Sequence, residues 1–204
     1  MRNANWPLLV LVVGYFTGSG PATAADGSPK LVLSRADLAN AYLRFDHAFT
    51  NSPPPREQVA DINRQFDTET KAFFGGNLAQ VARGVNALAE QVLYPGKSFP
   101  NQAFVNSLKV LVEPRAHVKE SNNPIVVWIR SVYKVDPMPT SDVPLKLLVK
   151  DQKGKTIAET AILVPPVLPA ENPLRVELPA AATKLPIGKY SLELTGKGPR
   201  GYGG

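Results

Sequence analysis

The spacing of the apolar residues changes near residue 107, and this change constrains the fold more than any other feature of the chain. Before that point, apolar side chains recur every three or four residues, as they do on one face of an α-helix. After it they alternate with polar residues, and β-branched residues become frequent, as in half-buried strands. A chain that carries helices first and strands afterwards is predicted to be an α+β protein.

The first helix is predicted over residues 35–50. Ser34 with Asp37 three residues later is a start signal, because the hydroxyl accepts from an early backbone N–H and the carboxylate favours the positive end of the helix. The proline run at 53–55 ends the helix, because proline lacks the N–H that a helix interior requires.

Two further helices are predicted before residue 98. The second begins near Arg56 and ends at Gly75-Gly76, where glycine tolerates a left-handed turn. The third is capped by Asn77 with Gln80 and ends near Pro95. Three short helices with brief connections are predicted to pack antiparallel, with one aromatic core that could also leave a groove for a ligand. The residues predicted for this core are Tyr42, Phe45, Phe49, Phe66, Phe73 and Phe74.

About seven short strands are predicted in the second part, which favours an antiparallel β-sandwich. Asp151-Gln152-Lys153-Gly154 between two of them is a hairpin signal. The predicted strands are 107–113, 115–119, 125–135, 145–150, 156–164, 174–178 and 189–194.

The segment 185–194 has a Pro/Gly turn followed by an alternating strand, Tyr190-Ser-Leu192-Glu-Leu194. This pattern resembles a late strand of immunoglobulin-like and macroglobulin-type β-sandwich domains. The resemblance implies an architecture and no particular function.

The amino terminus has the order of a secretory signal peptide. Arg2 precedes the apolar run 8–13, and small residues follow up to Ala24 and Ala25. We therefore expect cleavage near Ala24 or Ala25 and export to the periplasm or the cell exterior. The apolar stretch 6–16 is shorter than the roughly 20 residues of a membrane span, so no stable membrane anchor is expected after cleavage.

These observations predict four segments. They are a signal peptide at 1–25, a helical domain at 26–98, an immunoglobulin-like β-sandwich at 99–195 and a flexible glycine-rich tail at 196–204.

Composition excludes several classes of function. The chain has no cysteine, which excludes disulfides, thiolate metal sites and a catalytic thiol. The net charge of +6 is spread along the chain and lacks the basic clusters of a nucleic-acid site, so no nucleic-acid partner is expected.

No catalytic, cofactor-binding or metal-binding residues are predicted. His47 and His117 are the only histidines, and neither has a base, nucleophile or second metal ligand at workable spacing. Gly96-Lys97-Ser98 ends like a phosphate-binding loop, but the first glycine of that motif is missing. Trp128 lies in the most apolar strand; we interpret it as a core residue, with ligand stacking as the alternative.

The sequence therefore favours a non-catalytic exported module of the bacterial cell envelope, with an envelope protein, a peptide or a surface polymer as partner. The alternative is the accessory amino-terminal region of a secreted hydrolase whose catalytic domain lies outside this chain.

Overall fold

The computed structural model describes residues 10–12, 33–113, 125–168, 173–178 and 189–196. This part of the chain is α+β, with four α-helices and two antiparallel sheets. The chain divides into two units. The first, here called the helical unit, consists of 32–109 and 131–139, and the second, the sheet unit, consists of 1–31, 110–130 and 140–204. The predicted boundary at residue 98 stays a prediction.

The helical unit contains helices α1 (Arg35–Asn51), α2 (Arg56–Thr70), α3 (Leu78–Leu93) and α4 (Pro100–Ser107). The predicted capping box of α1 is confirmed, because Ser34 N donates to Asp37 Oδ2 over 2.7 Å and Asp37 N donates back to Ser34 Oγ over 3.3 Å. The predicted cap of α3 is also confirmed, with Gln80 N donating to Asn77 Oδ1 over 3.1 Å.

Alanine, valine, leucine and isoleucine fill the centre of the helical unit. One buried cluster joins α1 to α3 and contains Leu38, Ala41, Val81, Ala82 and Val85. A second cluster adds α2 through Ile62. The rings of Phe45 and Phe66 stack at 4.9 Å between centroids and pack against these clusters while remaining half-buried. The aromatic residues therefore border the core and do not form its centre.

The prediction that Phe73 and Phe74 belong to this core is wrong. Phe73 is 38% exposed and Phe74 is 90% exposed. The α-helical hydrogen bonds of α2 end at Thr70, and a single 3₁₀ turn over Lys71–Phe73 follows. Because a 3₁₀ turn has three residues per turn instead of 3.6, residues beyond Thr70 leave the face that α2 turns toward the core.

Helix α4 was not predicted from the sequence. Pro100 is its first residue, a position where the missing N–H costs no intrahelical hydrogen bond. Phe104 and Val105 are buried and anchor the helix.

Seven strands are described: β1 (Val10–Val12), β2 (Leu108–Glu113), β3 (Val126–Ser131), β4 (Val143–Lys150), β5 (Thr156–Val164), β6 (Leu174–Glu177) and β7 (Ser191–Gly196). One sheet has the order β1-β7-β4-β5 and the other β2-β3-β6. The predicted strand at 115–119 and the predicted tail beyond Gly196 lie outside the described residues.

The hairpin between β4 and β5 is confirmed. Asp151 Oδ1 accepts from Lys153 N over 2.8 Å and from Lys155 N over 2.9 Å. Gly154 has a φ of +75°, in the left-handed region where a side chain would be strained. The turn residues predicted from the sequence therefore form the turn.

Strand β4 buries alternate residues, as a half-buried strand should. Leu147 lies opposite Leu194 of β7 and Val149 lies opposite Leu192, and all four side chains are buried. One face of this sheet is thus apolar across neighbouring strands.

Candidate functional site

An asparagine interrupts the apolar face of α3. Asn86 is 3% exposed and shares its face with the buried Ala82 and Ala89, four residues before it and three after it. A buried amide requires hydrogen-bond partners, because burying it unpaired costs free energy.

Both partners of Asn86 come from distant parts of the sequence. Arg44 Nε on α1 donates to Asn86 Oδ1 over 3.0 Å. Asn86 Nδ2 donates to the Tyr133 hydroxyl oxygen over 2.6 Å, and Tyr133 belongs to the segment 131–139 of the helical unit. The amide therefore links an arginine and a tyrosine across the interior of this unit.

The two groups at the ends of this link are held in their ordinary protonation states. Burial raises the pKa of Tyr133 to about 12, so the phenol stays neutral and its O–H remains a donor. Burial also lowers the pKa of Arg44, opposed by the charge of Glu90, but an arginine remains cationic at any physiological pH. Arg44 Nη1 is buried without a hydrogen-bond partner among the described residues.

A carboxyl group lies one turn further along α3. Glu90 Oε1 accepts from Asn106 Nδ2 of α4 over 3.1 Å, and Gln102 orients that amide at 3.4 Å. Burial raises the pKa of Glu90 to about 7, although the Asn106 hydrogen bond and the charge of Arg44 act in the opposite direction. Glu90 therefore exchanges between a neutral acid and a carboxylate near neutral pH.

Asn86, Glu90 and Tyr133 border a cavity of about 410 Å³ within the helical unit. Its polar lining carries both signs of charge and two tyrosines: Glu69, Arg83, Asn86, Glu90, Gln91, Tyr94, Lys97, Ser98, Tyr133 and Asp136. The volume lies within the range of small-ligand sites in proteins.

The lining determines what kind of ligand the cavity can bind. Asn86 and Gln91 carry amides that both donate and accept, and Tyr133 offers a hydroxyl. Glu90 and Arg83 provide opposite charges. This set matches a ligand with donors, acceptors and charges of both signs.

Glu69 borders this cavity, and its side chain packs against Gly84. Its carboxylate on α2 occupies the space that a Cβ on Gly84 of α3 would need. Residue 84 therefore controls how closely Glu69 approaches α3 at the border of the cavity.

The residues singled out from the sequence occupy different places. Trp128 on β3 is half-buried between the fully buried Val127 and Ile129, and its Nε1 donates to Glu113 Oε2 over 3.0 Å. Both interpretations of Trp128, as a core residue and as a ligand-stacking residue, stay predictions.

The two histidines and the segment Gly96-Lys97-Ser98 were also singled out in the sequence. His47 is exposed on α1, and His117 lies outside the described residues. Gly96-Lys97-Ser98, rejected as a phosphate loop, borders the cavity.

Within the described ranges, no cluster of three or more histidine, aspartate or glutamate residues is arranged to hold a metal ion. In the same part of the chain, no helix combines the length and the apolar character of a membrane span. No protein-family profile, no curated protein and no solved structure matches this chain.

Proposed function

We propose that this protein is a non-catalytic exported binding module of the bacterial cell envelope, and that the cavity of the helical unit binds a short peptide segment. The observation that supports this most directly is that Asn86, hydrogen-bonded to Tyr133, lies with Glu90 at the border of a cavity of about 410 Å³. Export rests on the signal-like residues 1–25.

The mixed lining favours a peptide over a neutral glycan. A peptide presents backbone donors and acceptors together with charged groups, which Asn86, Glu90 and Arg83 complement. Glu90 would take a cationic group of the ligand as a carboxylate, and Arg83 or Lys97 would take an anionic one.

The sheet unit is proposed to be the immunoglobulin-like β-sandwich. Two observations support this: residues 110–130 and 140–204 form one unit, and β4 buries only alternate residues. In this proposal the sandwich offers its strand edges to an envelope protein.

The proposal is tested by calorimetry on the exported protein with a library of short zwitterionic peptides and purified envelope glycans. Glu90→Gln should weaken peptide binding about tenfold at pH 8, where Glu90 is a carboxylate, and have little effect at pH 6, where it is protonated. Glu57→Gln, an exposed position on α2, is the matched control and should change nothing. Binding of glycans alone, or of no probe, would contradict the proposal.

Mass spectrometry of the same sample tests export. We expect a mature amino terminus at Ala25 or Asp26. A chain that keeps Met1 and stays in the cytoplasm would contradict this part of the proposal.

A further inference from the structure

Strand β7 lies between β4 and β1, which are far apart in the chain. On one side it pairs with β4 through six register pairs, from Leu145↔Gly196 to Lys150↔Ser191. On the other side it pairs antiparallel with β1 through three, with Val12 opposite Leu192 and Val10 opposite Leu194. Strand β1 consists of Val10–Val12, which belongs to the segment predicted to be removed on export.

Removal of that segment takes away the strand that pairs with one side of β7. The backbone N–H and C=O groups that face β1 lose their partners, and β7 becomes an edge among the described strands of its sheet. An open edge of this kind binds an extended segment of another chain through the same main-chain hydrogen bonds. The pairing with β1 shows that this edge takes an antiparallel strand of apolar composition.

A buried carboxylate on β7 specifies the added strand further. With β1 in place, Glu193 is 2% exposed, and it forms an ion pair with Lys150 of β4. Its Oε1 is buried, and no group in the described part of the chain donates to it. The register position opposite Glu193 belongs to Leu11, a residue type without a side-chain donor.

We propose that the β1-facing side of β7 is a strand-addition site for an envelope protein, with an antiparallel apolar–donor–apolar segment as its ligand. This inference rests on the proposed export, because the edge opens only when residues 1–25 are removed. The apolar residues would lie opposite Leu192 and Leu194, and the donor opposite Glu193.

The donor is expected to be neutral, as in threonine, asparagine or glutamine. Lys150 already compensates the charge of Glu193, so a second cation would leave an excess positive charge at this buried position. A neutral donor satisfies Oε1 and adds no charge. Directly opposite residues of an antiparallel pair are close enough for such a contact.

The test uses the processed, exported protein and short soluble peptides with the centre Val-Thr-Val, Val-Leu-Val or Val-Pro-Val, flanked by serine and lysine. Amide hydrogen exchange and fluorescence anisotropy measure binding. We expect slower exchange at 191–196 with the first two peptides, and about tenfold tighter binding of the threonine peptide than of the leucine peptide. The proline peptide has a fixed φ and one backbone N–H fewer and should bind less tightly than the other two.

Glu193→Leu and Glu193→Gln provide the specificity control. With leucine at 193 the preference should reverse toward the Val-Leu-Val peptide. Glu193→Gln keeps the shape of the side chain and should still bind the threonine peptide, which covers the case in which the leucine variant does not fold.

Each alternative result contradicts the inference in a distinguishable way. A processed, folded protein whose 191–196 amides respond to no peptide excludes strand addition and leaves the export and the cavity untouched. Concentration-dependent dimerisation that protects the same amides would make a second copy the occupant. If mass spectrometry shows that the exported chain keeps residues 1–25, β1 still occupies the edge, and the inference is wrong.

Discussion

The carboxylate of Glu69 lies where a side chain on Gly84 would begin. This contact couples α2 to α3 at the border of the cavity. It is possible only because residue 84 has no Cβ atom. Both residues can therefore be tested together.

Gly84→Ala alone should leave the free energy of unfolding unchanged or raise it by less than about 1 kcal/mol, because the gain in helix propensity is offset by displacement of Glu69. In a Glu69→Ala background the same substitution should gain the full value of about 1 kcal/mol. Urea denaturation of the four proteins in this cycle measures the coupling, and additive effects would contradict the contact.

Asn86→Ala should destabilise the protein by about 1 to 3 kcal/mol, because it leaves Arg44 Nε and the Tyr133 hydroxyl without their buried partner. Chemical denaturation at neutral pH measures the loss. Asn101→Ala, at an exposed position on α4, is the matched control and should stay within about 0.5 kcal/mol of the wild type. Equal effects of the two substitutions would argue against the buried link.

Glu90 predicts a specific dependence of stability on pH. Between pH 4.5, the ordinary value of its pKa, and about pH 7, the folded protein keeps a proton that the unfolded chain has lost. The contribution of Glu90 to stability therefore falls as pH rises through this window. Relative to Glu90→Gln, the wild type should lose about 3 kcal/mol between pH 4 and pH 8. A difference between the two proteins that is constant with pH would contradict the raised pKa.

Phe74→Ser should change the free energy of unfolding by less than about 0.5 kcal/mol, because the ring is 90% exposed. Leu88→Ala, at a buried position of α3, should cost about 2 to 5 kcal/mol in the same thermal or urea titration. A large loss for Phe74→Ser would place its ring in the core after all.

Local chemistry made much of the secondary structure predictable. Ser34 with Asp37 marks the start of α1, and Asp151 with Gly154 marks the hairpin, because each interaction joins residues at most four apart. Helix α4 was missed, although Pro100 is a known start signal, because its eight residues offer too few apolar positions to show a period.

Two other elements were ambiguous in sequence for a physical reason. Val10–Val12 matches the apolar part of a signal peptide in sequence, and its pairing with β7 joins residues far apart in the chain, which no local pattern reveals. Phe73 and Phe74 keep the helical spacing of α2, but the switch to a 3₁₀ turn depends on hydrogen bonds that no spacing reveals.

The candidate site could not be assembled from sequence. Arg44 and Tyr133 lie 42 and 47 residues from Asn86, and nothing local connects them. One signal was available: Asn86 is a polar residue on the same helix face as Ala82 and Ala89, and a buried amide implies partners elsewhere. Which partners those are depends on the tertiary fold.

Residues 131–139 belong to the helical unit although they follow part of the sheet unit in sequence, and this affects the order in which the chain can fold during synthesis. A chain that emerges amino terminus first can form α1, α2 and α3 before Tyr133 is present, and Asn86 is then without the acceptor of its amide group. The cavity border is completed only by residues made 47 positions after that asparagine. Nascent chains and fragments that stop at residue 109 should therefore form the helices and still lack Tyr133 at the cavity border. If the cavity binds the proposed peptide, such fragments should bind it more weakly than the full chain does.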